Sequence, residues 1–287
     1  MRFNLTKHAA IAAMLAAPLA ANAALVTVDG IDVEPGAQFI TTSLWESVLN
    51  LTTGRYQDDV LSGVGIVTQI DNTAGSGTTW ISGQNNRQLT YFFTGYSVSA
   101  WYDSFGVKHS GATLHDLGFN LATKIDFTGG SVNIYSDLFV GGTRLNPSGP
   151  ASYLTDIANA TDGALWLSLI GHSSTFLDPN LLVFRTGTLL GDVDAANSIH
   201  LGNKGIGYLD VVGGDAAGLF NTNSWDLGPE GKADTKFEAK VSTTNCSDWP
   251  LCGTASLKTQ SVPEPGSMAL FGIGLAGFAV SRLRRKS

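Results

Sequence analysis

The chain has 287 residues, carries few charges and is acidic: charged residues make up 14%, and the formal net charge at pH 7 is −7. Between Ala24 and Ser261, eleven Lys and Arg stand against twenty-three Asp and Glu, a net charge near −12. Nucleic acids and anionic membrane surfaces are bound through Lys and Arg, which neutralise their phosphates. The composition therefore argues against nucleic acid as a partner and favours solubility outside the cell.

The first residues predict a secretory signal peptide. Arg2 and Lys7 precede an apolar, Ala- and Leu-rich stretch from Ala9 to Ala20, and Ala21-Asn22-Ala23 follows it. A basic start, a short apolar run and a small-x-small site are typical of export signals. We expect residues 1–23 to direct export through the Sec pathway, with Ala21 and Ala23 forming the cleavage site. A first transmembrane helix is the alternative, which the lack of a longer apolar run disfavours.

Residues 24–260 predict one extracellular β-rich domain. Short alternating runs are separated by Gly- and Asn-rich turns, and Asp29-Gly30 predicts a hairpin between 25–28 and the segment ending at Val33. Further strands are predicted at 64–70, 88–93, 97–102, 131–140, 165–170, 181–186, 207–212 and 235–241, and short helical turns at 43–49 and 152–158. The fold class expected is all-β, an antiparallel β-sandwich or jelly-roll-like domain.

The two cysteines, Cys246 and Cys252, lie close together near the end of this domain. In an exported chain such a pair is expected to form a disulfide that closes a small loop. Zinc would require further ligands, and no histidine has finger-like spacing to the pair. We therefore predict a structural disulfide and no metal site here.

One segment resembles catalytic chemistry. Leu167 to Thr175 reads L-S-L-I-G-H-S-S-T, similar to the nucleophile elbow of lipases and esterases, with Ser173 as the nucleophile. Thr175 replaces the second Gly, which the strained turn of that motif requires. We predict no catalytic residue, no cofactor and no enzymatic activity.

Acidic pairs leave a calcium site open as an alternative. Asp192-Val193-Asp194 begins like a calcium loop, but the central Gly and the closing Glu of an EF-hand are missing. Loops of β-sandwiches bind calcium without a fixed motif, and Asp58-Asp59, Asp192/Asp194 and Asp210/Asp215 are the acidic pairs that would supply oxygens. Solvated acidic loops are the simpler interpretation.

Two tryptophans are candidate glycan contacts. Trp80 and Trp225 stand in polar, loop-like sequence, whereas Trp166 lies in an apolar run and is expected to be buried. An exposed aromatic plane fits the apolar face of a sugar ring, but most aromatic residues at strand spacing belong to a core.

The last 27 residues, 261–287, form a segment in three parts. Val262-Pro263-Glu264-Pro265 comes first, an apolar run from Met268 to Val280 follows, and the basic residues are Arg282, Arg284, Arg285 and Lys286. The prolines favour an extended, accessible stretch. As a helix the thirteen-residue run rises roughly 20 Å, which makes it a marginal membrane span. The basic residues favour a cytoplasmic C-terminus.

This tail resembles the PEP-CTERM sorting signal of Gram-negative, exopolysaccharide-producing bacteria in order, spacing and residue type. The resemblance implies processing by a membrane-embedded exosortase near the V-P-E-P motif. The short helix would anchor the protein transiently in the inner membrane before its release to the cell surface or the extracellular matrix. An ordinary C-terminal membrane anchor is the alternative.

The domain also resembles flocculation-associated PEP-CTERM proteins. The segments that carry this likeness are 63–70, 88–95, 131–137, 160–169 and 213–223. The resemblance implies a non-catalytic protein that acts with extracellular polysaccharide in flocculation, biofilm formation or cell adhesion. A secreted hydrolase and a lectin-like glycan-binding protein, each acting on matrix polysaccharide, are the alternatives.

Overall fold

A computed structural model describes most of the domain between the two terminal segments. The described residues are 25–34, 38–47, 49–50, 55–56, 60–72, 77–110, 122–139, 145, 147, 153–192, 203–242, 246, 249 and 251–259. The predicted signal peptide and the predicted sorting tail lie outside them.

Strands dominate the described residues, and helices are short. The strands are β1 (Val26–Val28), β2 (Ile31–Val33), β3 (Gln38–Ser47), β4 (Leu49–Asn50), β5 (Arg55–Tyr56), β6 (Val60–Asn72), β7 (Thr78–Ile81), β8 (Arg87–Tyr102), β9 (Lys108–Ser110), β10 (Lys124–Leu138), β11 (Ala164–His172), β12 (Ser174–Asp178), β13 (Val183–Gly187), β14 (Leu189–Asp192), β15 (Asn203–Gly213), β16 (Trp225–Asp226), β17 (Lys232–Ala233), β18 (Thr235–Ser242) and β19 (Leu251–Thr259). The α-helices are α1 (Tyr153–Ala160) and α2 (Ala217–Phe220), and 3₁₀ turns lie at Gln84–Asn86 and Gly228–Glu230.

The main sheet is antiparallel and closes on itself. Around the sheet the strand order is β3, β6, β8, β10, then β14 and β11, then β15, β18, β19 and back to β3. Strands β14 and β11 lie end to end, each paired with a different stretch of β10. Strand β14 pairs with Lys124–Phe127 of β10, and β11 pairs with Ser131–Ser136, so two short strands share one position. Closure satisfies the edge N–H and C=O groups that an open sheet leaves unpaired. The expected all-β antiparallel class is confirmed.

Two strands predicted separately, 88–93 and 97–102, are a single long strand, β8. It continues through Gly95, whose φ is +82°, opposite Gly129 and Gly130, whose φ values are +74° and +89°. A side chain at Gly130 would collide with the ring of Tyr96. Glycine thus lets two long strands coil tightly around the core instead of ending there.

The inward side chains of the closed sheet form the main core. Along β18, Phe237, Ala239 and Val241 point inward, while Lys236 and Glu238 face solvent. Near the end where β6 finishes, the hairpin β1–β2, Trp80 and Trp166 join this core. A strand period of two therefore sorts apolar residues to one side of the wall.

The helical turn expected at 43–49 is wrong, because residues 38–47 form strand β3. Ile40, Thr42, Leu44 and Glu46 are buried on alternate positions. Strands β19 and β6 flank β3 along its length, so tertiary pairing overrides the weak local pattern. The helix expected at 152–158 is confirmed as α1.

In the part of the chain that the structure describes, no helix has the length and apolar character needed to cross a membrane. The apolar run 268–280 lies outside that part.

Candidate functional sites

The strand that precedes the predicted sorting tail is paired on both sides. Strand β19 pairs with β18 on one side and β3 on the other, up to Thr259, the last described residue. The motif Val262–Pro265, the basic residues Arg282, Arg284, Arg285 and Lys286, and the signal-cleavage residues Ala21 and Ala23 lie outside the described residues. A cut near Val262 would remove no strand of the sheet.

A disulfide joins Cys246 to Cys252, with 5.1 Å between their Cα atoms. Cys252 lies in β19 opposite Trp45 and Ser242, so the bridge fastens the preceding loop to the sheet. Within that loop Trp249 is buried, and its Nε1 donates a hydrogen bond of 3.1 Å to Asp156 of α1. The bridge and this tryptophan together hold α1 against the outside of the sheet.

The two candidate glycan contacts have different environments. Trp80 is 0% exposed and belongs to the core, so it cannot stack on a sugar. Trp80 is buried because it lies in β7, paired with Ile70 of β6. The polar residues that precede it in the sequence had indicated an exposed loop. Trp225 is half-buried, in the short strand β16 on the outer side of the sheet.

Trp225 belongs to an outer patch formed with Tyr208, Lys236, Glu238 and Lys258. The Nε1 of Trp225 donates a hydrogen bond of 3.3 Å to the Lys258 carbonyl. The centroid of its ring lies 6.1 Å from the ring centroid of Tyr208 and 5.9 Å from Lys236 Nζ. Both lysines pair with Glu238, at 2.8 Å for Lys236 and 2.9 Å for Lys258. Their hydrogen bonds hold the pKa of Glu238 below its usual range.

A shallow groove of about 460 Å³ extends this outer patch across β15, β18 and β19. Its polar and charged side chains are Lys204, Glu238, Lys240, Thr254 and Ser256, and the rest of its lining, which is mostly apolar, includes Gly205, Ile206, Ala239 and Ala255. Patch and groove share Glu238, so they form one continuous surface. An aromatic ring beside a row of hydroxyl, carboxylate and ammonium groups is suited to a polyhydroxylated chain.

The segment that resembles a nucleophile elbow has a different structure. Ser173 is an exposed residue between β11 and β12, and a strand follows it where the elbow requires a helix. The neighbouring His172 has both ring nitrogens engaged, Nδ1 with Asp210 at 2.8 Å and Nε2 with the Glu230 carbonyl at 3.0 Å. This histidine connects the sheet to the 3₁₀ turn at Gly228–Glu230.

Two of the acidic residues considered for calcium, Asp192 and Asp210, are already engaged. Asp192 pairs with Arg185 and Lys124, and Asp210 pairs with His172. Asp58, Asp59 and Asp194 lie outside the described residues. Within the described ranges, no three His, Cys, Asp or Glu side chains come together as a metal-binding group would.

A buried ion cluster was missed by the sequence analysis. Arg185 is 0% exposed. Its Nε donates a hydrogen bond of 2.7 Å to Asp126, and its Nη1 donates hydrogen bonds of 3.0 Å to Asp192 and 3.3 Å to Asp178. Its Nη2 donates to the carbonyls of β10 and β14 at 2.9 Å each. Lys124 adds pairs to Asp192 and Asp178 at 2.9 and 3.4 Å. The cluster's only signal in the sequence is an arginine, Arg185, within the predicted strand 181–186.

Two carboxyl groups of this cluster have pKa values shifted in opposite directions. Desolvation raises the pKa of Asp126 even though Arg185 opposes the shift. Desolvation acts on Asp178 as well, but the backbone N–H groups of Leu181 and Asn180 and the charge of Lys124 outweigh it and lower the pKa of Asp178. The cluster ties the hairpin β12–β13 to β10 and β14 and is structural.

The fold defines an all-β protein in which the last described strand, β19, is followed at once by a C-terminal segment. A family model for the PEP-CTERM protein-sorting motif matches that segment, at residues 261–285. The chain therefore carries a PEP-CTERM sorting motif, which indicates an exported protein that an exosortase processes. No curated protein and no solved structure matches the chain.

Proposed function

We propose that this exported protein is a non-enzymatic component of the extracellular matrix, which binds exopolysaccharide and thereby contributes to flocculation, biofilm formation or cell adhesion. The observation that carries the proposal is the outer patch with its groove. Trp225 and Tyr208 offer aromatic surface there, next to paired charges and hydroxyl groups.

The charge arrangement of the outer surface favours an acidic polysaccharide. Glu238 bridges Lys236 and Lys258, and the groove adds Lys204 and Lys240, so four ammonium groups stand against one carboxylate. Binding would then combine stacking and hydrogen bonds with attraction to acidic groups of the polysaccharide. We expect salt to weaken it, because salt screens exposed charges.

The position of the sorting tail supports a role outside the cell. Processing near Val262 leaves β19 and the Cys246–Cys252 bridge within the released domain. The domain therefore keeps its patch and its closed sheet when the tail is removed.

The test is binding of the protein, recovered from the extracellular fraction of its host, to the exopolysaccharide of that host. Trp225→Ala should weaken binding about tenfold, equivalent to about 1.4 kcal/mol for one lost aromatic contact. Phe105→Ala is the matched control, because Phe105 is 90% exposed and lies on the loop between β8 and β9. Equal affinity of the wild type and the Trp225 variant would contradict the proposed patch, and release of reducing sugar ends would indicate a hydrolase instead.

A further inference from the structure

A cavity lies inside the closed sheet, separate from the outer patch. Its volume is about 90 Å³, and every strand position of the closed sheet contributes to its lining. The walls are mostly apolar and include five aromatic rings: Tyr91, Phe93, Tyr96, Phe127 and Phe237. The lining extends to Asp192 and Lys204, which are partly or well exposed, so the cavity approaches the surface at that end.

Glu46 is the unusual member of this lining. It is near the end of β3, opposite Leu251 of β19 and Gly63 of β6, and is only 9% exposed. Among the described residues, no group forms a hydrogen bond or an ion pair with its carboxyl group. Buried carboxyl groups are normally paired, so a cation that enters the cavity would supply the counter-charge that the described residues do not.

Three other polar side chains beside the cavity, those of Tyr91, Thr42 and Asp192, are already engaged within the protein. The Tyr91 hydroxyl has two acceptors within reach of its one proton, Thr42 Oγ1 at 3.1 Å and the Ser43 carbonyl at 3.2 Å. Thr42 donates in turn to the Ala255 carbonyl at 3.2 Å. Asp192 is held by Arg185 and Lys124. Of the two carboxyl groups in the lining, Glu46 is therefore the one best placed to recognise a cationic ligand.

We infer that the cavity binds a short-chain alkylammonium ion, with its ammonium group at Glu46 and its alkyl chain among the aromatic and aliphatic walls. A carboxylate supplies the counter-charge, and aromatic faces attract a cation within about 6 Å of the ring. The size fits a ligand of about four or five heavy atoms, since a cavity of about 150 Å³ accommodates benzene.

The electrostatics predict a pH dependence for this binding. Burial raises the pKa of Glu46 from 4.5 to about 7. The titratable or charged groups that line the cavity with it are Tyr91, Tyr96, Asp192 and Lys204. Burial raises the pKa of both tyrosines above their ordinary range, so they stay neutral at these pH values. Because the ammonium requires the carboxylate form, affinity should rise about tenfold between about pH 6 and about pH 8.

Calorimetric titration of the whole exported protein with n-butylammonium chloride tests the inference, with 1-butanol as the neutral isostere. We expect butylammonium to bind more tightly than butanol at about pH 8. Glu46→Gln should weaken ammonium binding about tenfold or more and abolish its pH dependence. Ala239→Leu fills the cavity from another strand without changing the carboxyl group, and it should block both ligands.

Equal binding of butylammonium to the wild type and to Glu46→Gln would overturn the inference, as would binding of neither ligand. Equal affinity for butanol and butylammonium would also overturn it, since that result describes a merely apolar cavity. The Trp225→Ala variant should retain butylammonium binding in full. Failure of the polysaccharide proposal and failure of this one are therefore distinguishable.

Discussion

At the scale of single residues, two buried charged side chains define opposite situations. Arg185 has a carboxylate or carbonyl acceptor for each of its nitrogens, whereas the Glu46 carboxyl group has no partner among the described residues. A buried charge is tolerated when it is paired and is costly when it is not. We therefore expect substitutions at these two positions to change stability in opposite directions.

Glu46→Gln should stabilise the ligand-free protein at about pH 8 by about 3 kcal/mol, and should have little effect at about pH 4. Burial raises the folded-state pKa of Glu46 from 4.5 to about 7, so the folded protein binds more protons than the unfolded chain between those values. Stability is then lost as pH rises through that window, and glutamine removes the loss. Urea unfolding of both proteins at the two pH values measures the difference, and a pH-independent difference would contradict this account.

Arg185→Met should destabilise the fold by about 3–5 kcal/mol, because it leaves Asp126 and Asp178 buried without their main cation. Arg185→Lys is the matched variant: it keeps the positive charge but loses the planar arrangement of donors, so an intermediate loss is expected. Thermal and urea unfolding provide the measurement. A methionine variant as stable as the lysine variant would mean that the charge contributes nothing to the fold.

At the scale of elements, local turn chemistry decides the opening hairpin. Asp29 and Gly30 have φ values of 52° and 76°, the two positive values of a type I′ turn, and Val28 pairs with Ile31 across them. Gly30→Ala should cost about 1 kcal/mol, because alanine is strained at this φ and its Cβ would lie 3.0 Å from Arg87 Cγ. Gly77→Ala is the control, since a Cβ there meets no atom within 4 Å. Equal unfolding free energies of the two variants would exclude strain at the turn.

The sequence predicts those elements that neighbouring residues decide, and it fails for those that long-range pairing decides. The β1–β2 hairpin and α1 were predicted because their signals lie within a few neighbouring residues, Asp29-Gly30 in one case and an apolar spacing in the other. Strand β3 was mistaken for a helical turn because its stability comes from β19 and β6, which are distant in sequence. The sharing of one position by β14 and β11 is likewise a consequence of long-range pairing.

The candidate sites follow the same rule. Trp225 was selected from its polar neighbours and is half-buried on the outer patch, but Trp80 was selected in the same way and is a core residue. Composition around an aromatic residue does not reveal which face of a strand it occupies. The burial of Glu46 and Arg185 was not predicted, because the sequence does not distinguish an inward charged residue from a surface one until the strand register is known.

At the scale of the whole molecule, we expect the closed sheet to be stable without the sorting tail. A chain ending at Ser261 should unfold at the same temperature as the full chain, because β19 is complete at Thr259. A chain ending at Trp249 lacks β19, which joins β18 to β3, and should not fold. Thermal unfolding followed by circular dichroism distinguishes these outcomes, and a large loss in the Ser261 chain would show that the tail contributes to the fold.

The central claim is that an exosortase sorts this protein to the outside of the cell. Intact mass spectrometry of the protein from the extracellular matrix, in host strains with and without the exosortase, tests it most directly. The account predicts a mature chain that starts at Ala24 and ends near Val262 to Pro265, and its absence from the matrix of the strain that lacks the enzyme. A chain that retains its tail to Ser287 in both strains would contradict the account and would identify an ordinary membrane-anchored protein.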